Sequence, residues 1–99
     1  MITFGQGSTI GFYIEGDAVI DLDAQDFAVE FYKRKFTDKV TILKADMTFI
    51  FANKYYGEIP YAITELMIPG IYTQDVRLGD TNRSVSRAEA FTIIETQIR

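Results

Sequence analysis

The chain has 99 residues, enough for one domain around one core. Apolar residues are 47% and aromatics 14%, which excludes an intrinsically disordered chain. Net charge is −4 with no cysteine and no histidine, which argues against a nucleic-acid binder and excludes disulfides, thiolate chemistry and the commonest general base and zinc ligand.

Residues 2–4 read as a short edge strand, and Gly5-Gln6-Gly7-Ser8 as a turn. From Thr9 to Glu15, Ile10, Phe12 and Ile14 alternate with Thr9, Gly11 and Tyr13, the period of a strand. Gly16-Asp17 breaks it. Ala18 to Leu22 is a short extended piece, and Asp23 to Asp26 a turn. Phe27, Val29 and Phe31 mark the inner face of the next strand. Lys33 to Lys39 reads as a hairpin loop, with a return strand from Val40 to Ala45.

Met47 to Ala52 is almost wholly apolar, too short for an isolated helix and rich in strand formers, so a central strand covered on both faces is expected. Asn53-Lys54 turns the chain into a strand over Tyr55 to Ile59, which Pro60 ends. Thr64 is placed to cap one helical turn over Glu65-Leu66-Met67. Ile71 to Leu78 is a strand with Tyr72, Val76 and Leu78 on one face. Gly79 to Asn82 is a turn cluster, and residues 84–96 hold the last strand or strands, with Phe91 and Ile93 on one face.

These short strands, with no long helical periodicity, give an all-β fold. The expected form is a two-sheet antiparallel immunoglobulin-like sandwich of about seven strands, one domain over 1–99. Leu66, Gly70 and Tyr72 carry the finer detail. After Pro69-Gly70 the chain passes from one sheet to the other, and Tyr72 is expected to turn its ring inward and return its hydroxyl to backbone near 64–68, the tyrosine corner of such sandwiches.

The chemical motifs are weak. Gly5, Gly7 and Gly11 have the wrong spacing for a dinucleotide loop and precede a strand, so they serve turns. Asp21, Asp23 and Asp26 could offer oxygens to a hard cation, but Gln25 and the lack of a closing Glu break the calcium-loop pattern. No serine has a helper at a suggestive spacing, and paired carboxylates for sugar hydrolysis need a cleft that a small sandwich rarely builds. A catalytic role, a cofactor and a metal are therefore not expected, and the sequence leaves a small-molecule ligand open. Asn82-Arg83-Ser84 fits a glycosylation acceptor by chance. Tyr13, Tyr32, Tyr55, Tyr56 and Tyr61 could form a sugar- or protein-contact surface, although strand residues with wet hydroxyls explain most of them.

The start lacks the cationic and apolar regions of a signal peptide, and no stretch approaches the length of a membrane helix. A soluble chain made in the cytoplasm, with no membrane partner, is expected. Charge is unevenly spread. Residues 1–26 hold Glu15, Asp17, Asp21, Asp23 and Asp26 and no cation, whereas 33–44 holds Lys33, Arg34, Lys35, Lys39 and Lys44 against Asp38. The sharper reading is two complementary contact surfaces, with Lys33, Arg34, Lys35, Phe49 and Ile50 in an interface for self-association or for a protein partner. The alternative is two solvated loop regions.

Gln6-Gly7-Ser8-Thr9, Val19-Ile20-Asp21-Leu22, Tyr56-Gly57-Glu58-Ile59-Pro60, Pro69-Gly70-Ile71-Tyr72 and Ala90-Phe91-Thr92-Ile93 together form a recognisable outline. The outline resembles the small immunoglobulin-like domains of phage and prophage tail proteins, and is similar in particular to the N-terminal domain of the phage baseplate upper protein. The resemblance spans nearly the whole chain. It implies a non-enzymatic structural module that docks a receptor-binding part onto a tail, a virion-associated location and no catalytic residues. The other reading is a bacterial carbohydrate- or protein-binding module.

Overall fold

A computed structural model describes residues 2–16, 20–34, 37–79 and 83–95, with side chains at all of these except 34, 37–38 and 83–89. Eight strands form two sheets: β1 (Ile2–Gly5), β2 (Ile10–Glu15), β3 (Phe27–Arg34), β4 (Thr37–Leu43), β5 (Thr48–Phe51), β6 (Lys54–Ile59), β7 (Gly70–Leu78) and β8 (Arg83–Ile94). The larger sheet runs β1-β8-β7-β3-β4 and the smaller β2-β6-β5. This order matches the G-F-C and B-E-D groupings of an immunoglobulin-like sandwich. Every pairing is antiparallel except β1 with β8, which is parallel.

The core follows the period-two faces. Ile10 and Ile14 of β2 meet Phe27, Val29 and Phe31 of β3, Val76 of β7, and Phe91 and Ile93 of β8, all buried. Rings knit the two sheets together. Phe12 packs edge-on against Phe31 at 4.9 Å, and Phe27 against Tyr55 at 5.2 Å. Tyr72 is fully buried and stacks on Phe91 at 5.6 Å.

The crossing between sheets lies between β6 and β7. Pro60 stands at the N-cap of a one-turn helix, α1 (Tyr61–Thr64). The helix thus starts earlier than the turn expected over 65–67, because proline presets the backbone for a helix start. Thr64 ends it. Its buried hydroxyl donates to the Ser8 carbonyl at 2.6 Å, so it ties the crossing to the N-terminal turn. Gln6 Nε2 adds a bond to the Met67 carbonyl at 2.8 Å. Tyr72 then closes the corner, its hydroxyl donating to the Ile68 carbonyl at 2.9 Å. Gly70 has φ +148°, and a Cβ there would stand 2.6 Å from Cε of Lys33, so both backbone and space call for glycine. Leu66 turns outward, 80% exposed, and takes no part in the core.

Three boundaries differ from expectation. The loop expected over 33–39 is largely ladder, since Tyr32 pairs with Lys39 and Arg34 with Thr37. Charged residues hide the period-two signal there, but the backbone pairs regardless. The return strand ends at Leu43, where a 3-10 turn, Lys44–Asp46, begins. Met47 to Ala52 is not a covered central strand. β5 is the edge of the narrower sheet, pairs with β6 alone, and all four of its residues are exposed. Of the extended piece expected at 18–22, Ile20 to Leu22 are described and form no strand, and of the turn at 79–82 only Gly79 is described.

Candidate interaction surface

The β5–β6 hairpin sets the surface. Phe51 pairs with Lys54 around Ala52 and Asn53, and Asn53 takes φ 60°, a left-handed conformation that asparagine tolerates. The pairing shifts between Phe49 and Phe51, so Ile50 is bulged. Phe49, Ile50 and Phe51 are 57%, 43% and 55% exposed. Phe49 leans edge-on toward Tyr55 at 5.6 Å.

The β2–β6 register extends the surface across the outer face. Tyr13 pairs with Tyr56, and Glu15 with Lys54. The rings of Tyr13 and Tyr56 are 5.0 Å apart with planes inclined 54°. Lys54 Nζ lies 5.2 Å from the Tyr13 ring and 5.4 Å from the Phe51 ring, bridging the two by cation–π attraction. The Tyr56 hydroxyl donates to Glu58 at 3.2 Å, and its ring covers the space a side chain on Gly11 would need. An apolar strip with a cationic centre and acidic margins results.

The five tyrosines do not gather into one patch. Tyr32 and Tyr55 are buried, Tyr61 is exposed on α1, and only Tyr13 and Tyr56 come together. The proposed basic contact residues are partly engaged inside the fold. Lys33 lies over Gly70. Arg34 ends β3 with its side chain outside the described set, and Lys35 lies outside the described residues, as does Asn82. Lys39 pairs with Glu30 at 3.3 Å. Glu30 and Asp75 hold Arg77 in the same outer-face network, at 3.0 and 3.4 Å.

The acidic loop is internally satisfied as well. Lys44 Nζ donates to the carbonyls of Leu22, Asp23 and Gln25 at 2.9, 3.2 and 2.7 Å. It also sits near the rings of Phe27 and Tyr55. Asp23 accepts from the Asn53 amide at 3.0 Å and the Tyr55 hydroxyl at 2.8 Å. Asp21 caps the amides of Asp23 and Ala24, and Asp26 that of Phe27. The carbonyl oxygens that could have met a metal ion face the chain's own ammonium group. Among the described residues, no group of three or more acidic side chains is placed to hold a metal. Burial, reinforced by the bond to Asp23, raises the Tyr55 phenol above its ordinary pKa.

Sequence reasoning singled out Phe49 and Ile50 but missed Phe51, Lys54 and the Tyr13–Tyr56 pair as one surface. The available signal was Phe51-Ala52-Asn53-Lys54. A two-residue turn on asparagine fixes the register, and with it which rings share a face.

No protein-family model matches the chain, and no curated protein matches it. Among solved structures, one similar in fold belongs to a protein described as a putative glycoside hydrolase from Bacteroides vulgatus. The TM-score is 0.58 at 10% identity, and the match covers 98% of this chain and 17% of that one. At that identity the likeness is one of fold.

Proposed function

We propose that the chain is a non-enzymatic assembly module that docks to a protein partner through the β5 end of its small sheet. The observation that carries this reading is the run Phe49-Ile50-Phe51, three adjacent large apolar side chains exposed at one sheet edge, Phe51 beside Lys54 on the outer face and Phe49 beside Tyr55 on the other. Contiguous exposed apolar surface with a polar rim is the usual mark of a protein contact. β5 is four residues long and bulged, features that discourage addition of a foreign strand. Contact is therefore through side chains, with Lys54, Glu15 and Glu58 forming the rim. The resemblance to tail-protein domains makes the partner a phage or prophage tail component and the location virion-associated. The Bacteroides protein is consistent with a modular role, since a fold of this kind accounts for 17% of its length.

The test is co-purification with tail-type proteins encoded beside this chain. Phe49→Lys and Phe51→Lys should abolish binding while leaving the circular dichroism spectrum intact, and Tyr61→Lys, remote on α1, should not. Undiminished binding by both β5 variants removes the surface from consideration.

A second reading, carbohydrate binding, draws on Tyr13, 60% exposed beside Tyr56 and Glu58. The two rings are too inclined to form one platform, so Tyr13 alone would stack on a sugar. Glycan titration with Tyr13→Ala separates the readings, because loss of a glycan signal there favours the sugar-binding surface.

A further inference from the structure

Among the described residues the two sheets have four edge strands, and three of them carry features that discourage pairing. β1 is short, and β5 is short and bulged. β4 carries Lys39 on its outer face. Short length, bulges and edge lysines are how sheets avoid joining one another. β2 has none of these. It runs Ile-Gly-Phe-Tyr-Ile-Glu, pairs with β6 in unbroken register over all six residues, and holds no proline, lysine or bulge.

Beside this edge the two sheets part. The groove between β1 and β2 measures about 380 Å³ and is lined by Ile2, Phe4, Ile10, Phe12, Phe31 and Phe91, with Tyr13 at its rim. It lies between β1, an edge of the five-stranded sheet, and β2, an edge of the three-stranded one. Ile2 is 64% exposed there.

We propose that β2 is a dimerisation edge, and that its occupant is β2 of a second copy, running antiparallel across a twofold axis. The dimer uses the opposite edge of the small sheet from β5 and does not rest on the partner reading above. Three properties of the strand favour its own copy. Free backbone groups on a regular edge call for another extended backbone. Inner faces match only when odd residues meet odd and even meet even, and the two longest such registers put Phe12 or Tyr13 on the axis. In either register Glu15, the one charge on β2, meets Thr9 or Gly11 of the other copy and never a second Glu15. A parallel pairing would oppose the two carboxylates. The result is a continuous six-stranded sheet, β5-β6-β2 joined to its twofold mate, with the two grooves opening onto each other. An isologous contact of this kind closes at two copies and does not propagate.

Light scattering and sedimentation over a concentration series test the proposal. The wild type should approach twice 11.3 kDa. Tyr13→Glu places new carboxylates beside Glu15 at the twofold but keeps Lys54 as a neighbour within each copy. It should stay folded and raise the dissociation constant at least about tenfold. Phe51→Lys should leave the dimer intact. Hydrogen exchange gives a second readout. In the dimer every amide from Ile10 to Glu15 is protected, whereas in a monomer protection alternates along the strand, since only amides facing β6 are bonded. A wild type that stays monomeric with alternating protection overturns the proposal. So does a dimer that survives Tyr13→Glu and is lost in Phe51→Lys.

Discussion

Tyr72→Phe removes one oxygen from the centre of the fold and nothing else. The ring stays stacked on Phe91, so no cavity opens and the apolar burial is kept. What is lost is the 2.9 Å bond to the Ile68 carbonyl, which is left with one partner fewer at the corner between sheets. A net hydrogen bond is worth about 1 kcal/mol, and a buried acceptor left short of a partner raises the cost to roughly 1–3 kcal/mol. For a domain of this size each kcal/mol shifts Tm by about 4–8 °C. Urea denaturation followed by tyrosine fluorescence and circular dichroism should show a lower midpoint at unchanged slope, since the surface exposed on unfolding is the same. Tyr61→Phe, on an exposed tyrosine, is the control and should move stability by less than about 0.5 kcal/mol. Equal midpoints for wild type and Tyr72→Phe would refute the corner as a stabilising contact.

Three further perturbations probe the rest of the fold. Lys44→Met keeps the aliphatic stem but withdraws the ammonium group from three loop carbonyls, and should cost about 2 kcal/mol by urea denaturation; an unchanged midpoint would show that water replaces those bonds freely. Gly70→Ala forces a side chain onto φ +148° and against Lys33, so a loss of roughly 1–2 kcal/mol is expected, most of it from the backbone because the lysine stem can move. Tyr55 holds its proton more tightly when folded than its ordinary value of about 10. The folded state therefore binds more protons than the unfolded one above that pH, and stability, level below it, falls as pH rises through and beyond it. Tyr55→Phe should flatten that alkaline decline, and a variant whose stability falls as steeply as wild type would assign the decline to other groups.

Much of the fold is legible because period two survives wherever one face meets the core. Ile10 and Ile14, Phe27, Val29 and Phe31, and Phe91 and Ile93 announce their strands for that reason. The signal fails at edges. β5 is apolar on both faces without being covered on either, and composition alone does not distinguish a strand between two layers from one at a border. It fails again where charge interrupts alternation, as at Lys33 and Arg34, although backbone pairing is indifferent to what the side chains carry. Local turn chemistry carries information that composition does not. At Tyr72 a fixed offset of four residues ties a hydroxyl to the Ile68 carbonyl, a relation that can be read along the chain. Leu66, read as part of the same motif, is outside the core because it sits in the turn after α1.

The acidic loop shows why function was less legible than fold. Five acidic residues without a cation in the first 26 suggest either a metal or a charged contact face when read along the chain. Neither reading sees that Lys44 and Asn53, about 20 and 30 residues further on, return to the same loop. Hydrogen bonds at those separations satisfy the carbonyls and the Asp23 carboxylate from within, and a satisfied group offers little to a ligand. The same engagement weakens the idea of a basic surface over 33–44, since Lys39 and Lys44 are held by Glu30 and by loop carbonyls. The features proposed for recognition, among the described residues, are apolar and positional: three exposed side chains on β5 and the backbone edge of β2. Binding by this chain should therefore depend weakly on salt, in contrast to the steep screening expected of a contact between acidic and basic faces. A strong loss of association between low and physiological ionic strength would return the charged segments to the interface.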